Sequence, residues 1–162
     1  MKTTLLFLSL IITSSLMGQY TQIPDPNFEE VLIYNGWDDK KDGKVLTKNI
    51  EVVTHLQLYS NESQEGFGIK DLTGIEDFVS LEYLSCEYNE IKKINLSNNK
   101  SLNYLDCSGN GLEEIDLSNC PELETLFCSD NKLKSLDLSK NKKIMTCICD
   151  GNDFECESFG GG

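Results

Sequence analysis

Apolar and polar residues follow one pattern three times between residues 81 and 143, with a period of 21 residues. The copies begin at Leu81, Leu102 and Leu123, and each reads L-x-x-L-x-C-x-x-N and then, one residue later, apolar-x-x-apolar-x-L. A fixed period of this size is typical of a solenoid, because a single repeat cannot bury its apolar face and stacking supplies the core. The sequence therefore predicts a repeat array.

Each repeat contains two stretches with the alternation of an extended strand. In the first copy these are Leu84 with Cys86 and Ile94 with Leu96, bounded by residues that favour turns. We therefore expect two short extended segments in each coil, with equivalent residues of successive coils directly above one another. Two of the resulting columns carry sulfur or amide groups: Cys86, Cys107, Cys128 and Cys149, and Asn89, Asn110, Asn131 and Asn152.

The repeat resembles the leucine-rich-repeat superfamily, in the short 21-residue bacterial class where a Cys stands in place of the usual Leu. The segment DLTGIE at 71–76 is similar to internalin-like repeats, and IPDPNFEEVLIYNG at 23–36 to the N-terminal segment of secreted bacterial members. The resemblance covers about residues 23–152. It implies an α/β-type repeat solenoid dominated by short parallel β-strands, the leucine-rich-repeat horseshoe, with a short helical N-terminal cap.

Residues 1–18 have the build of a secretory signal peptide. One Lys stands near the front, an apolar run extends from Leu5 to Ile12, and small residues follow. The run is too short to span a bilayer, and no later segment is apolar enough to do so. We therefore expect a secreted protein, extracellular or at the cell surface, without membrane insertion.

Residues 19–44 are predicted to form the helical N-terminal cap. Asp25 stands before Pro26 at the first turn, and Asn35 with Gly36 ends the helix. Such a helix would lie across the open end of the solenoid and cover its exposed edge. The turn WDDKKDGK at 37–44 has some features of a calcium loop, but two ligand positions carry the wrong residues, which favours a plain Asp-Gly turn.

The remaining chain divides into an irregular first repeat at 45–80, regular repeats at 81–152 and a C-terminal tail at 153–162. Leu56 aligns with Leu84 after 28 residues, seven more than the regular period. The excess falls in 60–68, a Gly/Ser/Glu-rich stretch that predicts a bulged loop. The fourth repeat lapses after Asn152, so the tail is either a degenerate terminal cap or the start of a further segment.

Seven cysteines in a secreted chain would ordinarily indicate disulfides. Neighbouring side chains of a parallel ladder point the same way, however, whereas the two halves of a disulfide must face each other. The four-cysteine column is therefore predicted to consist of reduced, buried thiols that pack as small hydrophobic residues. Cys156 in the tail is predicted to form a disulfide with Cys147 or Cys149, and Cys120 to remain a free thiol.

The asparagine column is predicted to be structural. An inward Asn can bond backbone groups left unpaired at the turn, and stacked Asn side chains can bond one another. A line of sulfurs cannot surround one ion, so neither a metal nor a cofactor is predicted.

Charge and residue inventory narrow the function classes. The net charge is −13, and the 14 basic residues are all Lys, with no Arg, which disfavours nucleic acid as a partner. The single His, His55, reads as an exposed strand residue, and no Ser or Cys has an evident partner base. We therefore expect no catalytic residues and no enzyme.

The outward positions of the main strands give the candidate partner-binding residues. Exposed aromatics among acids on a solenoid's sheet favour binding, although rung-on-rung stacking that only stabilises the sheet is the other interpretation. We predict non-catalytic binding of a protein or cell-surface ligand; a glycan-binding adhesin and a structural spacer or fragment of a larger surface protein are the alternatives. The candidates are Tyr83, Glu87, Tyr88, Tyr104, Asp106, Phe127, Asp130 and Ile148.

Overall fold

The computed structural model describes residues 18–60 and 65–160 of the chain. Residues 1–17 of the predicted signal peptide lie outside the described residues, as do 61–64 of the predicted loop and 161–162 of the tail. None of the helices in the described ranges combines the length and the apolar character needed to cross a membrane.

The elements are short and their order follows the repeat. In chain order they are β1 (Tyr20–Gln22), α1 (Pro26–Tyr34), β2 (Lys44–Leu46), α2 (Thr47–Ile50), β3 (His55–Gln57), β4 (Tyr59–Ser60), β5 (Glu65–Gly66), a 3-10 turn (Ile75–Asp77), β6 (Tyr83–Ser85), β7 (Tyr104–Asp106), β8 (Thr125–Phe127) and β9 (Thr146–Ile148).

The solenoid is built on one parallel sheet with the strand order β3-β6-β7-β8-β9. Leu84 pairs with Leu105, and Leu105 with Leu126, so residues 21 apart stand directly above one another. Leu56 pairs with Leu84 across the longer first coil, and residues 59–60 (β4) pair antiparallel with residues 65–66 (β5). The predicted parallel solenoid is thus confirmed, with the extra seven residues taken up outside the sheet.

The prediction of two extended segments per coil was wrong for the second one. Residues 91–96 and their equivalents contain no strand in the described structure. The Asn95 side chain accepts the Ser97 N–H at 3.2 Å, and Asp116 and Asp137 do the same for their own coils. These bonds turn the chain at residue 97 and its equivalents, directly after each segment, and the Ile91 N–H at the start of the segment bonds Asn110 Oδ1 at 3.0 Å. Among the described residues, the coils are joined by a sheet on one side only.

The N-terminal cap contains the predicted helix α1 and a two-stranded antiparallel sheet of β1 and β2 that the sequence did not indicate. Asp25 accepts the N–H groups of Asn27 and Phe28 at the helix start and those of Lys70 and Asp71 in the first coil. Burial opposes ionisation, but these four donors hold the pKa of Asp25 below its ordinary value. One carboxylate therefore both begins the helix and fastens it to the solenoid.

The turn before β2 is organised by a buried acid of α1. Glu29 Oε1 accepts the N–H groups of Asp42 and Gly43 at 2.8 and 2.6 Å. Gly43 has a φ of 79°, the left-handed conformation that glycine adopts without strain. The Asp42-Gly43 pair thus forms the turn, with Glu29 satisfying its backbone donors.

The asparagine column joins each coil to the one before it. Asn131 Nδ2 donates to the carbonyl oxygens of Cys107 and Cys128 at 2.9 and 3.1 Å, and its Oδ1 accepts the Leu112 N–H at 3.0 Å. Equivalent bonds are made by Asn89, Asn110 and Asn152. The expected bonds between stacked Asn side chains do not form among the described residues, because backbone groups already engage both ends of each amide.

The cysteine column differs from the prediction at its last member. Cys86, Cys107 and Cys128 are buried free thiols, but Cys149 forms a disulfide with Cys156, with Cα atoms 5.8 Å apart. The tail returns antiparallel to β9, since Cys147 and Phe159 exchange two N–H···O bonds at 2.8 Å. This return places Cys156 opposite Cys149, the facing arrangement that parallel neighbours lack. Cys120 and Cys147 are free and buried.

Candidate functional site

The outer side of the five-stranded sheet, called the strand face below, presents three columns of side chains. In the first column Tyr83 lies between His55 and Tyr104 of the two neighbouring strands. In the second column Asp106 lies between Ser85 and Phe127. The third column lies where the strands turn. The columns are His55, Tyr83, Tyr104, Thr125 and Thr146; Gln57, Ser85, Asp106, Phe127 and Ile148; and Glu87, Ser108, Ser129 and Asp150.

Four rings form a continuous row across the strand face. Tyr83 and Tyr104 stack with centroids 4.4 Å apart and planes within 12°, and Tyr104 contacts Phe127 at 5.7 Å with a 60° tilt. His55 extends the row by stacking on Tyr83, with ring centroids 5.7 Å apart. Sequence reasoning placed His55 on an exposed strand but not in this row. The sequence does place His55 in the same column as Tyr83, because each residue directly precedes an inward leucine, Leu56 or Leu84, at equivalent positions.

Two outward residues are far more buried than their positions suggested. Asp106 is 8% exposed and Ser85 is 1% exposed, so the expectation that they are exposed was wrong. Both have short side chains in a column next to large rings, which cover them. Asp106 Oδ1 accepts the Ser108 backbone N–H at 3.0 Å.

Burial also changes the ionisation of groups on the strand face. Burial raises the pKa of Asp106, and burial together with the charge of Asp106 raises the pKa of Glu87. The pKa values of Tyr83 and Tyr104 are raised as well, chiefly by burial. Both tyrosines are therefore neutral phenols near neutral pH, able to donate and accept hydrogen bonds.

Tyr88 and Asp130 lie at the border of the strand face, where each strand turns. Both have a φ of 54°, and the equivalent residues Gly109 and Gly151 have φ values of 65° and 73°. The position therefore requires a left-handed backbone, which costs a bulky residue free energy. Tyr88 is 53% exposed, and a Cβ added at Gly109 would lie 2.6 Å from its ring, so the ring covers that glycine.

Ile148 lies at the far end of the strand face. It pairs with Phe127 as predicted and is half-buried. The structure therefore brings together Tyr83, Tyr104, Asp106, Phe127 and Ile148 on the sheet. Glu87, Tyr88 and Asp130 form its rim.

Charges are segregated around the coil. The four segments that build the regular part of the strand face, 81–89, 102–110, 123–131 and 144–152, contain six acids and no lysine. Lysines of the repeat region all lie in the connecting segments on the other sides of the coil: Lys92, Lys93, Lys100, Lys132, Lys134, Lys140, Lys142 and Lys143. The regular part of the strand face is therefore acidic and aromatic.

The comparisons with known proteins agree with this architecture. The family pattern Leucine Rich repeats (2 copies) matches residues 100–141. The functional domain of InlJ from Listeria monocytogenes, which includes a cysteine ladder, superposes with a TM-score of 0.70 at 30% identity, covering 83% of this chain and 29% of that one. This chain is an internalin-like leucine-rich-repeat protein.

Two further Listeria monocytogenes structures share the fold of this leucine-rich-repeat protein. The internalin InlF superposes with a TM-score of 0.67 at 24% identity, covering 83% of this chain and 40% of that one. Internalin C2 gives a TM-score of 0.52 at 16% identity, with coverages of 86% and 92%. The chain thus spans less than half the length of the InlJ and InlF chains. No curated protein sequence matches it.

Proposed function

We propose that this leucine-rich-repeat protein binds a partner protein through the strand face, without catalysis. The observation that carries the proposal is the row of four rings on a surface that contains acids and no lysine. Aromatic residues supply large contact areas at interfaces, and solenoids use such continuous surfaces for partners.

A protein partner fits the rings better than a glycan does. A sugar stacks on the face of an aromatic ring, but Tyr83 and Tyr104 cover each other's faces at 4.4 Å, and His55 covers the other side of Tyr83. In the stack of Tyr83 on Tyr104, ring edges and phenol hydroxyls are left for contact, and these suit packing against protein side chains.

The surroundings of His55 support a non-catalytic role. Its Nδ1 lies 2.9 Å from Thr54 Oγ1, and its ring stacks on Tyr83. No acid within the described ranges hydrogen-bonds the imidazole to orient it, as a nucleophile and base pair requires. We therefore assign the ring to the aromatic row.

We further propose that the protein acts outside the cell or at its surface. The signal-like segment at 1–18 supports export. The Cys149–Cys156 disulfide supports it too, because such bonds persist in oxidising compartments.

Capture of a partner from cell-surface extract tests the proposal. The variant Tyr83→Ala, Tyr104→Ala, Phe127→Ala removes three rings from the strand face. The matched control, Lys93→Ala, Glu114→Ala, Ser135→Ala, changes three exposed residues of one column on the connecting segments. We expect a partner retained by the wild type and the control to be lost from the ring variant, with circular dichroism confirming that all three are folded. Equal capture by the folded ring variant would overturn the proposal and favour a purely structural role for the rings.

A further inference from the structure

Asp106 is a carboxylate without a cation at the centre of the strand face. It ends β7, the middle strand of the five, and its neighbours in the sheet are Ser85 and Phe127. Nine-tenths of the residue is buried. Its hydrogen-bond donors are the backbone N–H of Ser108, at 3.0 Å from Oδ1, and the Ser108 side chain. The ion pairs within residues 18–60 and 65–160 all involve other acids.

Such a group is unusual in a folded protein. Burying a charge is costly unless it is paired, and buried acids normally have a cationic or multiple hydrogen-bonding partner. Asp25 shows the usual solution in this chain, since four backbone donors lower its pKa. Asp106 lacks that set of donors, and burial raises its pKa instead. Glu87 adds a second negative charge nearby. The two acids are close enough for the charge of Asp106 to contribute to the raised pKa of Glu87.

Within residues 18–60 and 65–160, no lysine or histidine forms an ion pair with Asp106. The chain contains no Arg, and the lysines of the repeat region all lie on the connecting segments. A cation from another molecule can therefore pair with Asp106.

The rings beside Asp106 suit a basic side chain. Tyr104 lies two residues before Asp106 on the same side of the strand, and Phe127 is its neighbour in the sheet. These two rings are tilted by 60° and are not stacked, so they do not cover each other's faces as Tyr83 and Tyr104 do. Cations bind over ring faces by cation–π attraction, and the planar guanidinium of Arg combines it with a forked bond to a carboxylate.

We infer that Asp106, Glu87 and the Tyr104–Phe127 ring pair form a binding site, called the seat, for one basic side chain of the partner. This site prefers Arg to Lys. The inference rests on the proposed function and specifies its partner, a protein segment that presents an exposed basic residue. The acids along the strand face attract such a segment, and Asp106 then fixes its position. Long-range attraction and short-range pairing would thus act at the same surface.

A defined peptide tests the seat without knowledge of the natural partner. The probe is the capped peptide Gly-Arg-Gly-Arg-Gly, and its neutral counterpart carries citrulline in place of both arginines. Binding to the full chain is followed by NMR chemical-shift changes at low salt. The variant is Asp106→Asn, which keeps the shape of the side chain. The control is Asp153→Asn, which removes the same charge from an exposed position in the tail.

We expect the arginine peptide to shift resonances of Ser85, Asp106 and Phe127, and the citrulline peptide to leave them unchanged. Asp106→Asn should weaken binding about 10-fold or more, the range of a lost charge-assisted hydrogen bond. Asp153→Asn should change it less than about twofold, as expected for an exposed charge. Equal losses in the two variants would show general charge attraction and overturn the seat, as would undiminished binding by Asp106→Asn.

The same variant separates this inference from the proposed function. If Asp106→Asn captures the extract partner as the wild type does while the ring variant fails, the seat is wrong and the strand face stands. If the ring variant also captures it, the proposed function fails. Loss of capture in Asp106→Asn, with Asp153→Asn unaffected, supports both.

Discussion

Tyr83 and Tyr104, 21 residues apart in the chain, stack with ring centroids 4.4 Å apart and planes within 12° of each other. Their backbones pair in adjacent parallel strands, so the repeat period places one ring on the other. The stacking interpretation of the aromatic strip is therefore correct for these two rings. Stabilisation of the sheet and contact with a partner are compatible, because the ring edges remain at the surface.

A double-mutant cycle on this pair measures the stacking. We expect Tyr83→Ala and Tyr104→Ala to show a coupling free energy of about 0.5–1.5 kcal/mol, the range for aromatic pairs beyond their buried area. Urea unfolding of the wild type, both single variants and the double variant gives this value. Strictly additive losses would mean that the stack contributes nothing beyond burial.

The asparagine column makes a larger contribution. Asn131→Ala removes donors from the buried carbonyls of Cys107 and Cys128 and the acceptor of the Leu112 N–H. Because buried groups left unpaired carry a desolvation penalty, we expect a loss of about 3 kcal/mol in the free energy of unfolding. Asn119→Ala, at an exposed residue whose amide bonds only Ser118 Oγ, is the control and should change stability by less than about 0.5 kcal/mol. Similar losses in both variants would refute the role assigned to the column.

The period of 21 was enough to predict the solenoid, its register and the two inward columns. Those features depend only on which residues recur at one spacing, and the sequence shows this directly. The single sheet was not predictable in this way, because the second segment has the alternation of a strand although its first backbone N–H, that of Ile91, bonds the Asn110 side chain of the next coil.

Features that depend on contacts outside the repeat were predicted only in part. The Cys149–Cys156 pairing follows from a tail that folds back on β9, which no periodicity describes, although Cys149 was one of two partners foreseen for Cys156. The candidate site was predicted as a set of outward residues. The burial of Asp106 was not, because it depends on the size of neighbouring rings and not on the direction of the side chain.

The cysteines predict a distinctive labelling pattern. Burial raises the pKa of the Cys86 and Cys107 thiols and raises that of Cys120 to about 11, so little reactive thiolate exists at pH 8. Iodoacetamide should therefore leave Cys86, Cys107 and Cys120 unlabelled in the folded protein and should label all five free cysteines in guanidinium. Labelling of all seven should require guanidinium and a reductant together, because Cys149 and Cys156 are bonded. Mass spectrometry counts the labels, and rapid labelling of Cys107 in the folded protein would contradict its burial.

The stability effect of Asp106→Asn should depend on pH. Burial raises the pKa of Asp106 in the folded state above the ordinary value of 3.8, so the folded state binds this proton more tightly than the unfolded state. Stability of the wild type relative to Asp106→Asn should therefore fall as pH rises from 3.8 through the raised pKa, and should be lowest and constant above it. At pH 7 the variant should be at least as stable as the wild type.

Urea unfolding of both proteins between pH 4 and pH 7 checks this expected decrease. The other acids titrate in both proteins, so their contributions cancel in the difference between the two free energies of unfolding. A variant markedly less stable than the wild type at pH 7 would mean that Asp106 is held by favourable contacts and is not awaiting a partner's cation.

Site-specific photo-crosslinking tests the central claim, contact through the strand face, most directly. Ser129 on the strand face and Ser135 on a connecting segment are each replaced by p-benzoylphenylalanine, and each protein is irradiated with the captured partner. The account predicts a covalent adduct from position 129 and none from position 135. An adduct from position 135 without one from position 129 would place the binding surface elsewhere on the coil.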